Sequence, residues 1–178
     1  MLRRFHKPDP DLKAACLLYD AITKRAREPV FYTRFRVPDT IDGRFDLLVL
    51  HVFLVMDSLK EEGGKSSAIA THLATIIFAG FEDALRDLGV SDIGLSRRIK
   101  AMANAFYGRV EVYAAAKNSA PLLAAALLRN LYRADESKSR EARNMADYAI
   151  AASRHLESRD SGTTLVHGEA DFGPLPEN

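Results

Sequence analysis

The sequence has one cysteine, Cys16, and no tryptophan. A single cysteine excludes an intramolecular disulfide, and it leaves too few sulfur ligands for a structural zinc site, which usually needs four nitrogen or sulfur ligands. Because Cys16 lies among alanine and leucine residues, we expect a small buried apolar side chain rather than a reactive thiol. The lack of tryptophan removes one side chain that is common at the centre of protein interfaces.

Neither sign of charge is in excess, and long apolar runs are absent. The 25 lysines and arginines nearly balance 24 acidic residues, for a net charge of +1, so we predict no DNA partner. The longest apolar runs, at 47–56 and 120–128, fall short of the roughly 20 residues of a membrane span. Acidic residues follow the basic N-terminus, where a secretory signal would be apolar. We therefore expect a cytoplasmic protein that can lie peripherally at the inner face of the cytoplasmic membrane.

Apolar residues recur at steps of three and four through most of the 178 residues, which is typical of helices that bury one face. This spacing predicts an all-α, single-domain bundle of about six helices, with the second helix central because it is apolar around most of its circumference. The predicted helices lie near 9–27, 39–60, 66–88, 95–117, 120–132 and 137–156. Residues 30–38 are expected to form an extended connection, since no partner strand is evident.

The end of the chain has a different composition. From residue 158 onward, glycine, proline and acidic residues replace the helical pattern. We therefore place the helical domain at residues 1–158 and a flexible or irregular tail at residues 159–178.

No catalytic or metal-binding set can be recognised. No two of the five histidines are three or four residues apart, so a zinc-binding HExxH pattern is absent. Lone histidines in apolar helices, such as His51 and His72, are more often hydrogen-bonded core residues than ligands. The carboxylates of Asp83 and Asp87 fit a solvated helix face better than an acid–base pair. We predict no catalytic residue, no metal and no cofactor, and hence a protein that binds other proteins rather than an enzyme.

The predicted helix at 95–117 is basic, with five lysines and arginines against Glu111 alone. Such a face is usually only solvated, but it can also contact anionic lipid headgroups, ribosomal RNA or an acidic partner. Gly108 costs roughly 1 kcal/mol relative to alanine inside a helix, which a close approach by a partner would explain. The predicted partner-binding residues are Arg44, Arg97, Arg98, Lys100, Tyr107 and Arg109.

Five short motifs follow one another between about residues 30 and 135. They are Val37-Pro38-Asp39-Thr40, Gly43-Arg44-Phe45, Leu50-His51-Val52-Phe53-Leu54, Leu85-Arg86-Asp87-Leu88-Gly89-Val90-Ser91-Asp92 and Ala105-Phe106-Tyr107-Gly108-Arg109. Together and in this order they resemble the ubiquinol–cytochrome c chaperone family, the Cbp3-like assembly factors of the cytochrome bc1 complex. The absence of a long N-terminal targeting extension favours a bacterial member over a mitochondrial one.

The resemblance implies an all-helical chaperone that helps to assemble the cytochrome bc1 complex. Its expected partner is newly made cytochrome b, or another bc1 subunit, bound through a helical surface. Mitochondrial members are associated with the ribosome and a small partner protein, so the ribosome and the membrane surface are further candidate partners. Arg44, Arg109 and the Arg97-Arg98-Lys100 cluster are the surface candidates under this interpretation.

Two other interpretations remain open from the residues alone. A small helical enzyme acting on a prenyl or quinone-like substrate would bind diphosphate through aspartate-rich motifs and Mg²⁺, and no DDxxD-like run occurs. Its activity would require Mg²⁺ and depend on Asp83 or Asp87. A nucleic-acid binder would use the basic helix, and its binding would weaken steeply with salt. The sequence does not predict an oligomeric state.

Overall fold

The computed structural model describes residues 9–61, 64–158 and 165–175. All regular elements in these ranges are helical. They are α1 (Pro10–Ala26), α2 (Pro29–Thr33), α3 (Ile41–Glu61), α4 (Gly64–Asp87), α5 (Asp92–Ala116), α6 (Ala120–Asn130) and α7 (Ser139–Leu156), with a 3-10 turn at Glu136–Lys138. The all-α prediction is confirmed, and the six predicted helices correspond to α1 and α3–α7 within a few residues.

The connection before α3 differs from its prediction, because it contains the short helix α2 (Pro29–Thr33). Pro29 supplies the fixed φ that suits a first helical position. After α2 the chain reverses at Arg36, which has a positive φ of 55°, and the Val37 amide then donates to the Phe31 carbonyl at 3.0 Å. The aromatic alternation seen in the sequence therefore reflects a helix and a turn that bury Phe31, Phe35 and Val37.

Helix α3 forms the axis of the bundle. It packs against α1, α4, α5 and α7, and its side chains are buried almost all round. The fully buried members include Leu47, Val49, Leu50, Val52 and Val55. A helix that is apolar on every side is stable in water only when other elements cover every side, so the position of α3 follows from its sequence.

The other long helices surround α3 in the order α4, α1, α7, α6 and α5. Helix α1 packs along α4, and α6 packs along α7 and also contacts α5. Two seams in this arrangement are less tightly closed. One lies between α4 and α5, and the other lies between α1 and α7, where residues 165–175 fill the gap.

A chain of hydrogen bonds joins α1, α7 and α3. The Arg25 Nε donates to the Tyr148 hydroxyl at 2.9 Å, and this hydroxyl lies 2.9 Å from His51 Nε2. His51 Nδ1 lies 2.9 Å from the Leu47 carbonyl oxygen. A carbonyl can only accept, so His51 carries its proton on Nδ1 and Tyr148 donates to Nε2. His51 is thus a buried, hydrogen-bonded core histidine, as its apolar surroundings in the sequence indicated.

Cys16 and His72 are the other two side chains for which the sequence predicted an environment. Cys16 is exposed on α1, contrary to the prediction, because Ala15 and Leu18 occupy the buried face of the helix. His72 is half-buried on α4, and its Nε2 lies 3.2 Å from an oxygen of Asp9. It contributes to the contact between α4 and the start of α1.

Acid sensitivity is the expected consequence of burying His51. Burial lowers the His51 pKa from 6.5 to about 4, because the charged imidazolium loses its hydration. The folded state therefore favours neutral His51. Its contribution to stability is complete above pH 6.5 and is lost as the pH falls toward 4. We expect this group to lower the free energy of unfolding by up to about 3 kcal/mol over that interval.

Urea denaturation at a series of pH values measures this effect. A His51→Gln variant cannot take up the proton, so it should lack this part of the pH dependence even if it is less stable at every pH. Equal slopes for the two proteins between pH 6.5 and 4 would assign the acid sensitivity to other groups.

Candidate functional site

A groove with a volume of about 810 Å³ opens at the seam between α4 and α5, over the C-terminal part of α3. Its lining side chains are apolar or small, apart from one lysine near the end of α3. They are Met56, Leu59 and Lys60 from α3, Ser66, Ser67, Ala70, Thr71, Ala74, Thr75 and Phe78 from α4, and Tyr107 from α5. The groove is therefore a mostly uncharged concave surface formed by three helices.

The α4 wall of the groove is uncharged. Between Ser66 and Phe81 the helix contains no aspartate, glutamate, lysine or arginine. The Thr71 hydroxyl donates to the Ser67 carbonyl at 2.9 Å, and the Thr75 hydroxyl donates to the Thr71 carbonyl at 3.0 Å. Because both hydroxyl protons are donated within the helix, these side chains can only accept further hydrogen bonds.

Helix α4 also leaves a face of small, uncharged side chains uncovered, at Ser67, Thr71, Thr75 and Ala79. In the described part of the chain, the segment Ser66–Asp87 is long and apolar enough, by length and composition, to cross a membrane. Only 28% of its most apolar stretch of 18 residues is buried within the bundle. This segment is not an uninterrupted run of strongly apolar residues, because α4 mixes them with alanine and threonine, so apolar runs in the sequence do not reveal it. A large uncharged helix face that remains exposed is typical of a binding surface.

On the α5 side, Tyr107 is the most prominent side chain of the groove. It is 59% exposed, and its ring centroid lies 6.0 Å from that of Phe78 across the seam. The adjacent Gly108 is also exposed, and a Cβ there would meet no atom within 4 Å. Packing within the chain therefore does not require glycine at this position. An exposed aromatic ring beside a helical glycine allows another helix to approach the backbone closely.

Arg109 lies on the inner side of α5. Its side chain is only 13% exposed, and its Nε lies 2.6 Å from Oδ1 of Asp46, which is fully buried on α3. Arg133, in the turn after α6, reaches the other oxygen of Asp46 at 2.9 Å. The Arg109 guanidinium also stacks over the ring of Phe45 at 5.4 Å. Most of Arg109 is thus used within the fold, where it fixes α5 to α3.

The buried carboxyl of Asp46 is electrostatically unusual. Burial raises its pKa from 3.8 to about 6, and the nearby Arg109 and Arg133 oppose that rise. The hydroxyl of Tyr113 lies in the same region, and burial raises its pKa as well. Sequence analysis missed this cluster. Its one signal was an aspartate between Phe45 and Leu47 on a helix that is apolar all round.

The remaining predicted partner-binding residues lie at separate places. Arg97, Arg98 and Lys100 are exposed on the first turns of α5, on the same helix as Tyr107. Arg44 is exposed at the beginning of α3, far along that helix from the groove, and its Nε lies 2.6 Å from Asp39. The structure therefore brings Tyr107 to the groove and the basic cluster to one end of the same helix, but it does not bring Arg44 to them.

The described residues form no group of three or more histidine, cysteine, aspartate or glutamate side chains that could hold a metal ion. Asp83 and Asp87, the carboxylates considered for diphosphate binding, are exposed on α4 and do not line the groove.

Replacing neighbouring residues of α5 should separate the structural and surface roles. Arg109→Met leaves the buried Asp46 with one cation, so we expect it to lower the free energy of unfolding by roughly 2–4 kcal/mol. Tyr107→Ala removes a mostly exposed ring and should cost less than about 1 kcal/mol. Chemical denaturation measures both. Asp46→Asn combined with Arg109→Met should recover part of the loss, because the uncompensated buried charge is gone. Similar costs for the two single variants would contradict the assignment of Arg109 to the core.

Known proteins are similar to this chain in sequence. Residues 33–172 match the family model described as ubiquinol–cytochrome C chaperone. The ubiquinol–cytochrome c reductase complex assembly factor 1 of Xenopus laevis is 25% identical over 165 residues, which are 92% of this chain and 82% of that protein. The mouse protein of the same name is 26% identical over 165 residues, 92% of this chain and 56% of its own length.

A solved bacterial structure is also similar. The crystal structure of the Cbp3 homolog from Brucella abortus aligns with a TM-score of 0.81 and 36% identity, over 90% of this chain and 89% of that one. The helical arrangement described above is therefore shared with a protein of known structure. By the match over residues 33–172 and this common fold, the chain belongs to the ubiquinol–cytochrome C chaperone family.

Proposed function

We propose that this protein is an assembly factor of the ubiquinol–cytochrome c reductase (cytochrome bc1) complex, and that it binds newly made cytochrome b in the groove between α4 and α5. The family and the names of its relatives support the first part. The observation that carries the second part is the exposed, uncharged face of α4 beside Tyr107. Another apolar bc1 subunit would satisfy the same surface.

The groove has suitable dimensions for an apolar helix. Its lining positions on α4 run from Ser66 to Phe78, which is about 18 Å at the rise of an α-helix. This length matches about three turns of a bound helix. Because α4 and Tyr107 offer few free polar groups, a client segment would have to satisfy its own backbone, as a membrane-spanning helix does. The groove would shield such a segment from water before it is inserted.

The basic cluster indicates how the protein could face a membrane. A short turn joins α4 and α5, so the two helices run in opposite directions and the start of α5 lies beside the end of α4. Arg97, Arg98 and Lys100 therefore lie beyond the Phe78 end of the groove. We propose that they contact anionic lipid headgroups at the inner face of the cytoplasmic membrane. Ribosomal RNA is the alternative partner with the same charge.

This function requires binding and release, without a catalysed reaction or a cofactor. The alternative of a helical enzyme for prenyl or quinone-like substrates has less support, because Asp83 and Asp87 face solvent outside the groove. Arg44 and Arg109 receive lesser roles in this proposal. Arg44 is an outlying surface contact, and Arg109 positions α5.

Client capture should depend on the groove. Tyr107→Glu places a charge where the proposed client helix packs, so we expect at least a tenfold fall in cytochrome b co-purified from respiring cells. Leu122→Glu is the matched control, because Leu122 is 60% exposed, against 59% for Tyr107, and lies on α6 away from the groove. The control should capture cytochrome b as the wild type does.

Equal losses from both variants would indicate a general effect of added charge and would contradict the groove assignment.

Deleting the gene tests the broader function. The amount of the bc1 complex should fall while other respiratory complexes persist, and an unchanged bc1 level would overturn the assembly role.

Binding to anionic vesicles should depend on the basic cluster and on salt. Replacing Arg97, Arg98 and Lys100 with glutamate should abolish co-sedimentation with phosphatidylglycerol vesicles at low salt, while wild-type binding should weaken as salt rises. A control with Arg140→Glu and Arg143→Glu alters exposed arginines on α7. If both variants bind vesicles equally, the cluster is not the lipid contact, and retained ribosome binding by the control alone would favour ribosomal RNA.

A further inference from the structure

Residues 165–175, here called the C-terminal latch, occupy the seam between α1 and α7. Leu165 and Phe172 are buried, although the latch is largely irregular. Gly168 has a φ of 91°, and a Cβ there would lie 2.7 Å from the Leu17 side chain. Gly173 has a φ of 72° and packs directly against the ring of His155 on α7. Both glycines are therefore required by backbone conformation and by close contact with the helices.

One arginine on α1 binds the backbone of the latch. Arg25 Nη2 donates to the carbonyl oxygens of Gly173 at 3.0 Å, Pro174 at 3.3 Å and Phe172 at 3.4 Å. Its guanidinium also lies 5.4 Å from the ring centre of Tyr148 and 5.8 Å from that of Phe172. Within the described part of the chain, the hydrogen bonds joining residues 172–174 to the helices come from this side chain.

The pocket that receives Phe172 is held together by other residues. The Phe172 ring meets the ring of His51 in a T-shaped contact at 5.4 Å. His51 is itself fixed by Tyr148, and Phe31 packs against both rings at 5.2 and 5.0 Å. The contacts among Phe31, His51 and Tyr148 join α2, α3 and α7 and involve neither the latch nor α1, so these walls of the pocket do not depend on Phe172.

We propose that the α1–α7 seam is a peptide-binding site, and that the C-terminal latch is a displaceable ligand which the chain supplies to it. The site takes an extended segment with an aromatic side chain followed by glycine. The aromatic side chain enters the pocket beside His51, and Arg25 captures the carbonyls that follow. This arrangement, an aromatic anchor with capture of backbone groups, is how extended peptides are commonly recognised.

The latch has a consequence for the opposite side of α1. Helix α1 also packs along α4, where the Tyr19 hydroxyl lies so close to Gly80 that a Cβ would be 2.6 Å from it. An engaged latch therefore holds α1 against α7, and through α1 it holds the α4 wall of the groove. The role of that wall in client binding rests on the proposed function, whereas the peptide site does not.

Hydrogen exchange of the full-length protein tests the proposal. In Phe172→Ala, amide exchange in α1 and α4 should rise about tenfold, while exchange in α6 should stay near the wild-type rate, because only the elements held by the latch are released. Adding a peptide with the sequence of residues 165–178 should restore the slow exchange in a saturable way. The same peptide with alanine in place of phenylalanine should not restore it.

Two further variants complete the test. Glu169→Ala changes an exposed side chain of the same segment and should exchange as the wild type does. Combining Arg25→Lys with Phe172→Ala should weaken rescue by the peptide, since lysine cannot reproduce the contacts of Arg25. A uniform rise in exchange over all helices, or the absence of rescue, would overturn the proposal. A failure of Tyr107→Glu to lose cytochrome b would overturn the groove assignment and leave this result unaffected.

Discussion

The bundle depends on the burial of α3. A helix that is apolar on all sides must be covered on all sides, and the other elements are arranged to do this. Helices α1, α4, α5 and α7 contact it directly, and the C-terminal latch reaches it through Phe172. The outer helices pack on one another unevenly. Helix α1 packs along α4 and α6 packs along α7, whereas α4 meets α5 less extensively and residues 165–175 fill the gap between α1 and α7. Binding surfaces are proposed at these last two seams.

Asp46 and His51 are two of the buried ionisable groups that join α3 to its neighbours. Asp46 is joined to α5 and to the turn after α6 through Arg109 and Arg133, whereas His51 is joined to α7 and α1 through Tyr148 and Arg25. Their pKa shifts have opposite consequences. Because the pKa of Asp46 is raised, its contribution to the free energy of unfolding is lost as the pH rises from 3.8 to about 6. Because the pKa of His51 is lowered, its contribution grows as the pH rises from about 4 to 6.5. The two effects therefore oppose each other in mildly acidic solution.

The predicted partner-binding residues have different roles in the structure. Tyr107 is one of the predicted partner-binding residues in the basic helix, and it lines the groove. Arg109, two residues later, was predicted from the same motif, but most of its side chain contacts Asp46. On a helix these two positions lie about 200° apart and cannot occupy one face, but the sequence does not show which of them points inward. The rotation of α5 relative to α3 separates them, and that rotation depends on packing between residues 63 positions apart.

The sequence alone determined the helical class, the approximate helix boundaries and the central place of α3, because all three follow from local periodicity and from the distribution of apolar residues. It also carried the resemblance to the chaperone family through ordered short motifs. Only the tertiary structure decided that α2 interrupts the extended connection, that Cys16 is exposed and that α4 leaves an uncharged face uncovered. It also decided where residues 165–175 dock. These features depend on which helix faces which, and such contacts join residues that are distant in sequence, where no local pattern records them.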